Sequence, residues 1–250
     1  MNAELRHAQV ELLSAEVAAN RIRLRFSLDD VARFGERDVL YKAAASANAL
    51  SDYYTNVVRL VSNPSSMAPP RASAVQEEKK AIAAIENVRR YFRDQRKEYR
   101  PQGLPLGAGP CSTMERFFPP TLLAGVRIVE LRDQLVPNPS FFDEVKAQGL
   151  TNVPDLAHMD SLTFEDIVVF PAEMTDRRLF HALVHVVQFA VLGFERYTEF
   201  LIRGLFRTRS YATAPLEMHA FSLEAKFAAN PNDPFSVEEA VRLWTNQGRY

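Results

Sequence analysis

Residues 179–194 read LFHALVHVVQFAVLGF, and the arrangement of polar groups in this stretch decides how the rest of the chain is read. Its side chains with strong hydrogen-bonding groups are His181, His185 and Gln188. On a helical wheel of about 100° per residue these three fall within roughly 60° of arc, with Arg178 just beside them. The remainder of the circumference is apolar, which predicts a helix buried nearly all round. A polar stripe on such a helix must find partners, because an unsatisfied buried polar group costs about 1–3 kcal/mol. A metal ion is one solution. Side chains four residues apart have Cβ atoms about 5–6 Å apart, so two imidazoles can converge on one ion with Zn–N bonds of ~2.0–2.1 Å. Hydrogen bonding inside a helical core is the other solution, and HxxxH spacing by itself does not choose between them. A di-iron centre would call for several inward glutamates, including Glu-x-x-His pairs, and 179–194 contains no glutamate.

Around this helix the sequence reads as α+β and predominantly α-helical. From 36 to 60, apolar residues recur at helical spacing, and NPSSMAPPR at 63–71 stops that helix. A second long helix is expected to open near Ser73 and end before Pro101, with Ile82, Ile85, Val88, Tyr91 and Phe92 on its buried face. The glycine- and proline-rich stretch 101–120 reads as a linker or irregular loop between a helical region at 1–100 and a second region at 101–250, with the two free to pack as one unit. Beyond it, VRIVEL at 126–131 and DIVVF at 166–170 are short strand candidates, rich in β-branched residues. These predict a small sheet beside the helix that carries the histidines.

Composition narrows the classes of function. The 250 residues are 47% hydrophobic and 24% charged, with a net charge of −1, which gives no global attraction to nucleic acid or anionic lipid. The run RRYFRDQRKEYR at 89–100 carries six basic residues, but Asp94 and Glu98 interrupt it, and it reads as a solvated helix face rather than a nucleic-acid surface. One cysteine, Cys111, excludes an internal disulfide and a cysteine-rich zinc site. The first twenty residues are interrupted by Glu4, Glu11 and Glu16, and the apolar run 186–194 is far short of the ~20 residues of a membrane span. The chain therefore reads as soluble and cytoplasmic, with no membrane partner. Asp143, Glu144, Asp155, Asp160 and the lone His158 read as loop, helix-start or surface residues.

The order LFHALVHVVQFAVLGFERY at 179–197, followed by LIRGLFRTRSYATAPLEMHAF at 201–221, resembles a bacterial family of small, zincin-type metallopeptidase-like proteins. Members read HELVHVVQ, then a glycine, a second helix and a SYxxxPLE segment. The resemblance is best over 164–229. It implies one zinc ion held by His181, His185 and, as in gluzincins, Glu217. Local physics leaves the third ligand open. Pro215 suits the first position of a helix and Glu217 its first turn, where glutamate is common without any metal. His219 is the rival, and its direction differs from that of Glu217 by about 160°, so one helix cannot aim both at one ion. The resemblance also places Tyr211 where a tyrosine donates to a substrate oxyanion, although a tyrosine there equally packs on the core. Gln188 is suited to bonding an outer water or holding His185, and equally to satisfying backbone groups alone.

At one position the chain departs from that family. HExxH enzymes carry glutamate directly after the first histidine, where it moves the proton of the attacking water. Here that position is Ala182. General acid–base groups contribute about 10²–10⁴-fold, so efficient peptide hydrolysis is not expected. Three explanations compete: a natural pseudoenzyme, an inactivating replacement, or a substitute carboxylate such as Glu173 or Glu224. The implied partner is a peptide or protein. The reading from a different class is a metal-free helical interaction or scaffold protein whose histidines are core polar residues.

Overall fold

The computed structural model describes residues 71–132, 134–147, 153–154, 156, 159–171, 173–208, 211 and 214–246. The helix expected at 36–60, together with Asp155 and His158, lies outside the described residues. In chain order the elements are α1 (Arg71–Tyr99), a 3₁₀ turn (Arg100–Gln102), β1 (Leu104–Pro105), α2 (Ala108–Met114), α3 (Pro120–Gly125), β2 (Arg127–Glu130), α4 (Phe141–Ala147), β3 (Leu162–Phe164), β4 (Ile167–Phe170), α5 (Asp176–Leu192), α6 (Phe194–Thr208), α7 (Pro215–Ala229) and α8 (Val237–Asn246). The protein is predominantly helical with one small mixed sheet, the expected α+β class.

Strand order is β1-β2-β4-β3, with β2 and β4 parallel and both outer pairs antiparallel. Successive side chains on a strand point to opposite faces, and β4 shows the result. Val168 and Phe170 join Ile128 in the cluster beneath α5, whereas Ile167 and Val169 join Val129, Leu162 and Phe164 on the other side. All four β4 residues are buried. This double burial is why IVVF at 167–170 is an unbroken apolar run rather than an alternating one.

Helix α1 ends at Tyr99, two residues before Pro101, as its sequence dictates. Its inner face is Ala81, Ala84, Ile85 and Val88, all buried, while Ile82 is 50% exposed. Ile82 was expected inside; Ala84 packs with Ile85 and Val88 against the α6 residues Tyr197, Leu201 and Ile202 instead. The basic run at its C-terminal end is held by carboxylates. Arg89 and Arg93 pair with Glu195 at 2.7 and 2.6 Å, and Arg96 and Arg100 reach Asp166 in the β3–β4 turn at 2.6 and 3.1 Å. These pairs clamp α1 to the start of α6 and to the edge hairpin.

The stretch 101–120 is not an irregular linker. It contains β1 and α2, and it delivers Met114, Phe117 and Phe118 to the main core, where Phe117 and Phe118 lie edge-on to Phe180. Aromatic residues in a proline-rich segment bury large areas despite short backbone elements, and this burial overrides the loop reading of the composition.

Helix α5 runs through the middle of the molecule. Thr175 caps it, its hydroxyl accepting from the Arg178 amide, and every residue from Arg178 to Phe189 is buried. Gly193 ends it at φ 76°, a backbone conformation suited to glycine. The chain then turns so that α6 makes a 117° bend with α5; no single helix among the described residues is long and apolar enough to cross a membrane. Helix α7 packs on α5, with the Phe180 and Phe227 rings stacked at 4.4 Å. Its first turn is set by a close approach: a Cβ on Gly204 of α6 would lie 2.7 Å from Pro215 Cδ, so only glycine lets α7 start there. Glu217 is two residues further on, and α7 thereby faces the histidine stripe of α5.

Candidate metal centre

Three side chains from two helices converge. His181 Nε2 and His185 Nε2 are 3.1 Å apart. The Glu217 carboxylate straddles them, with Oε2 3.5 Å from His181 Nε2 and Oε1 3.2 Å from His185 Nε2. All three residues are buried. Bonds of ~2.0–2.1 Å around a tetrahedral ion put its ligand atoms roughly 3.3 Å apart, and the observed separations bracket that value. The group can hold a metal ion.

Counting donors and acceptors strengthens the fit. Gln188 is completely enclosed, and its Nε2 donates to the Leu216 carbonyl at 3.0 Å, which turns its Oε1 toward His185 Nδ1 at 2.9 Å. His185 therefore carries its proton on Nδ1. Glu224 Oε2 lies 2.9 Å from His181 Nδ1, and Oε1 accepts from Arg177 Nε at 2.6 Å, so His181 is likewise an Nδ1–H donor. Both Nε2 atoms are left with lone pairs, facing each other and a carboxylate. A proton satisfies two of these three acceptors at most. A metal ion satisfies all three, and each ring is already oriented from behind as metal-binding imidazoles usually are.

Burial alone pushes the Glu217 carboxyl up; in the metal-free protein the facing His185 and His181, once protonated on Nε2, outweigh burial through charge and hydrogen bonds and hold it well below the usual carboxylate range. Two tyrosines complete the surroundings. The Tyr211 hydroxyl donates to Glu217, and burial, followed by the Glu217 charge, keeps that hydroxyl protonated far above its ordinary value. Tyr197 stacks on Phe189 and brings its hydroxyl 3.3 Å from His185 Nδ1. Tyr211 thus packs on the core and supports a candidate ligand. Tyr197 was not anticipated, because helical phase cannot be followed across the break at Gly193.

His219 does not join the group. Its ring stacks on Trp244 at 4.6 Å with planes 7° apart, and its Nδ1 is buried with no hydrogen-bond partner among the described residues. Ala182 is fully enclosed, its carbonyl accepting from Thr163 Oγ1 on β3 at 3.4 Å. Neither carboxylate weighed as a substitute base faces the paired Nε2 atoms. Both Glu224 oxygens are committed on the Nδ1 side of His181, and Glu173 is exposed, its carbonyl accepting from Arg178. Arg178 itself is buried against Asp160 at 3.1 Å. Asp143 and Glu144 are exposed in the first turn of α4.

The state of His219 has a measurable consequence. Burial, with a smaller contribution from His185 when that ring is protonated, lowers its pKa from 6.5 to about 4. The unfolded chain therefore binds this proton more readily than the folded one. The associated stability is complete above pH 6.5 and is lost as the pH falls toward 4, by an amount on the order of 3 kcal/mol. Glu217 acts in a lower window, since a depressed carboxylate loses its contribution only below about pH 4.5. His219→Phe keeps a ring against Trp244 and removes the unpartnered nitrogen. Urea unfolding of the metal-free variant should show higher stability at pH 7, and a much flatter stability profile between pH 6.5 and 4.5 than the parent. A variant as acid-sensitive as the parent over that range would show that other groups set the slope.

Comparison of the chain with protein-family models, with curated proteins and with solved structures finds no match.

Proposed function

We propose that this chain is a zinc-binding, zincin-type metallopeptidase-like protein, holding one ion through His181, His185 and Glu217 and lacking efficient hydrolysis because Ala182 stands at the position of the general base. The observation that carries the reading is the convergence of two imidazole Nε2 atoms and a carboxylate at 3.1–3.5 Å. Two imidazoles and one carboxylate match the His₂Glu donor set of catalytic zinc sites, which leave a fourth position open. Bound there, zinc would acidify water and polarise a carbonyl.

The chain's own residues divide the remaining work. Gln188 and Glu224 hold the imidazoles in the required tautomer, and Tyr211 holds the carboxylate. Ala182 accepts no proton, and Glu224, the other buried carboxylate at the imidazoles, is spent on His181 and Arg177. This division favours binding of a peptide or protein over cutting it.

Elemental analysis of protein purified without a metal-affinity tag tests the reading. About one zinc per chain is expected, and His185→Ala should abolish it. A metal-free chain whose stability is unchanged by added zinc would favour the competing view, a helical interaction protein with a polar core stripe.

A further inference from the structure

We propose that Glu224, backed by Arg177, is the positioning group of this centre, so that affinity for the ion depends on an ion pair whose outer member reaches solvent. The inference rests on the metal-binding reading above but concerns residues that do not touch the ion. The two imidazoles are held by unlike partners. Behind His185 stand a neutral amide and a phenol, Gln188 and Tyr197. Behind His181 stands a carboxylate that is 1% exposed. A carboxylate so deeply buried needs compensation on both oxygens. Arg177 supplies it on one side at 2.6 Å, from a side chain that is 38% exposed, and the His181 Nδ1–H supplies it on the other.

The placement follows from the helices. Glu224 lies seven residues after Glu217, two turns along the same face of α7, and Arg177 lies one turn before His181 on α5. Phe221, between the two glutamates on α7, packs its ring at 4.7 Å and 45° to that of His181, so the imidazole has a packing contact besides its Nδ1 hydrogen bond. Among the described residues, Arg177 Nε–H and His181 Nδ1–H each meet one of the two Glu224 oxygens. Replacing Glu224 by glutamine leaves one acceptor oxygen for the two donors. If the amide turns its N–H₂ toward the ring, it favours the tautomer that places a proton on Nε2 and blocks ligation. If it turns its oxygen toward the ring, the bond lacks the negative charge that strengthens the imidazole as a ligand.

The test uses the full chain, with zinc affinity measured by competition against a chromophoric chelator. Glu224→Gln should weaken zinc binding about 10–100-fold. Arg177→Met, which removes only the outer, partly exposed member, should weaken it at least about threefold, and it decides the question if Glu224→Gln does not fold. Imidazole proton resonances of the zinc-loaded protein separate positioning from general loosening. The His181 Nδ1 proton should move in both variants while that of His185 stays in place. Affinities within threefold of the parent in every variant that folds, or equal movement of both protons, would overturn the proposal. A parent chain that binds no zinc at all would instead defeat the reading of the previous subsection.

Discussion

Saturating the protein with zinc is expected to raise its melting temperature by about 8–16 °C over chelator-treated protein. The estimate follows from linkage: an ion present at 1,000 times its dissociation constant, and bound only by the folded state, adds about 4 kcal/mol. For a chain of this size, each kcal/mol moves the midpoint by roughly 2–4 °C. The structure says where that energy would act. His181 and His185 belong to α5 and Glu217 to the first turn of α7, so an ion shared among them cross-links two helices whose apolar faces already form the main core. Without the ion, two lone pairs and a buried carboxylate face one another. The melting temperature should rise with the logarithm of free zinc, and Glu217→Ala should remove that dependence. A midpoint indifferent to both zinc and chelator would leave the histidine stripe as core polarity.

The core of this centre was legible in the sequence because helical phase is a local property. His181, His185 and Gln188 share an arc on any α-helix, and an apolar remainder means that the arc must be satisfied internally. The choice of Glu217 over His219 came from the resemblance. Its structural basis, the 2.7 Å approach that admits only glycine at position 204, involves residues eleven apart on different helices. Glu224 shows what phase alone misses. Its seven-residue spacing from Glu217 was readable, but whether it faced Nε2 or Nδ1 of His181 depends on how the imidazole is turned, which is a tertiary fact. Strands β1 and β3, of two and three residues, are too short to display a period of two. The 101–120 segment misled for a related reason: its glycines and prolines describe the backbone, whereas the burial of Phe117 and Phe118 describes the packing.

Restoring the absent base should separate a disabled enzyme from a protein that never cut peptides. Ala182→Glu in the zinc-loaded protein is expected to raise peptide hydrolysis about 10²–10⁴-fold over the parent background, the usual contribution of a positioned general acid–base group. The substitution carries a structural cost. Position 182 is fully enclosed within the apolar cluster between α5 and the sheet, and its carbonyl accepts from Thr163 on the edge strand β3. A carboxylate there gains function only by extending past that enclosure toward the paired Nε2 atoms, and stability should fall by about 1–3 kcal/mol for the polar group buried on the way. Ala182→Gln is the necessary control, because it brings the same bulk and strain without a group that can take a proton from water. The comparison is hydrolysis of a broad peptide library by both variants, each shown to be folded and to carry one zinc. If the glutamate variant is faster, the chain retains the rest of a hydrolytic site and Ala182 alone silences it. If the two are equally inert, the ion serves α5 and α7 as a cross-link, and the enzymatic ancestry has no support from this position.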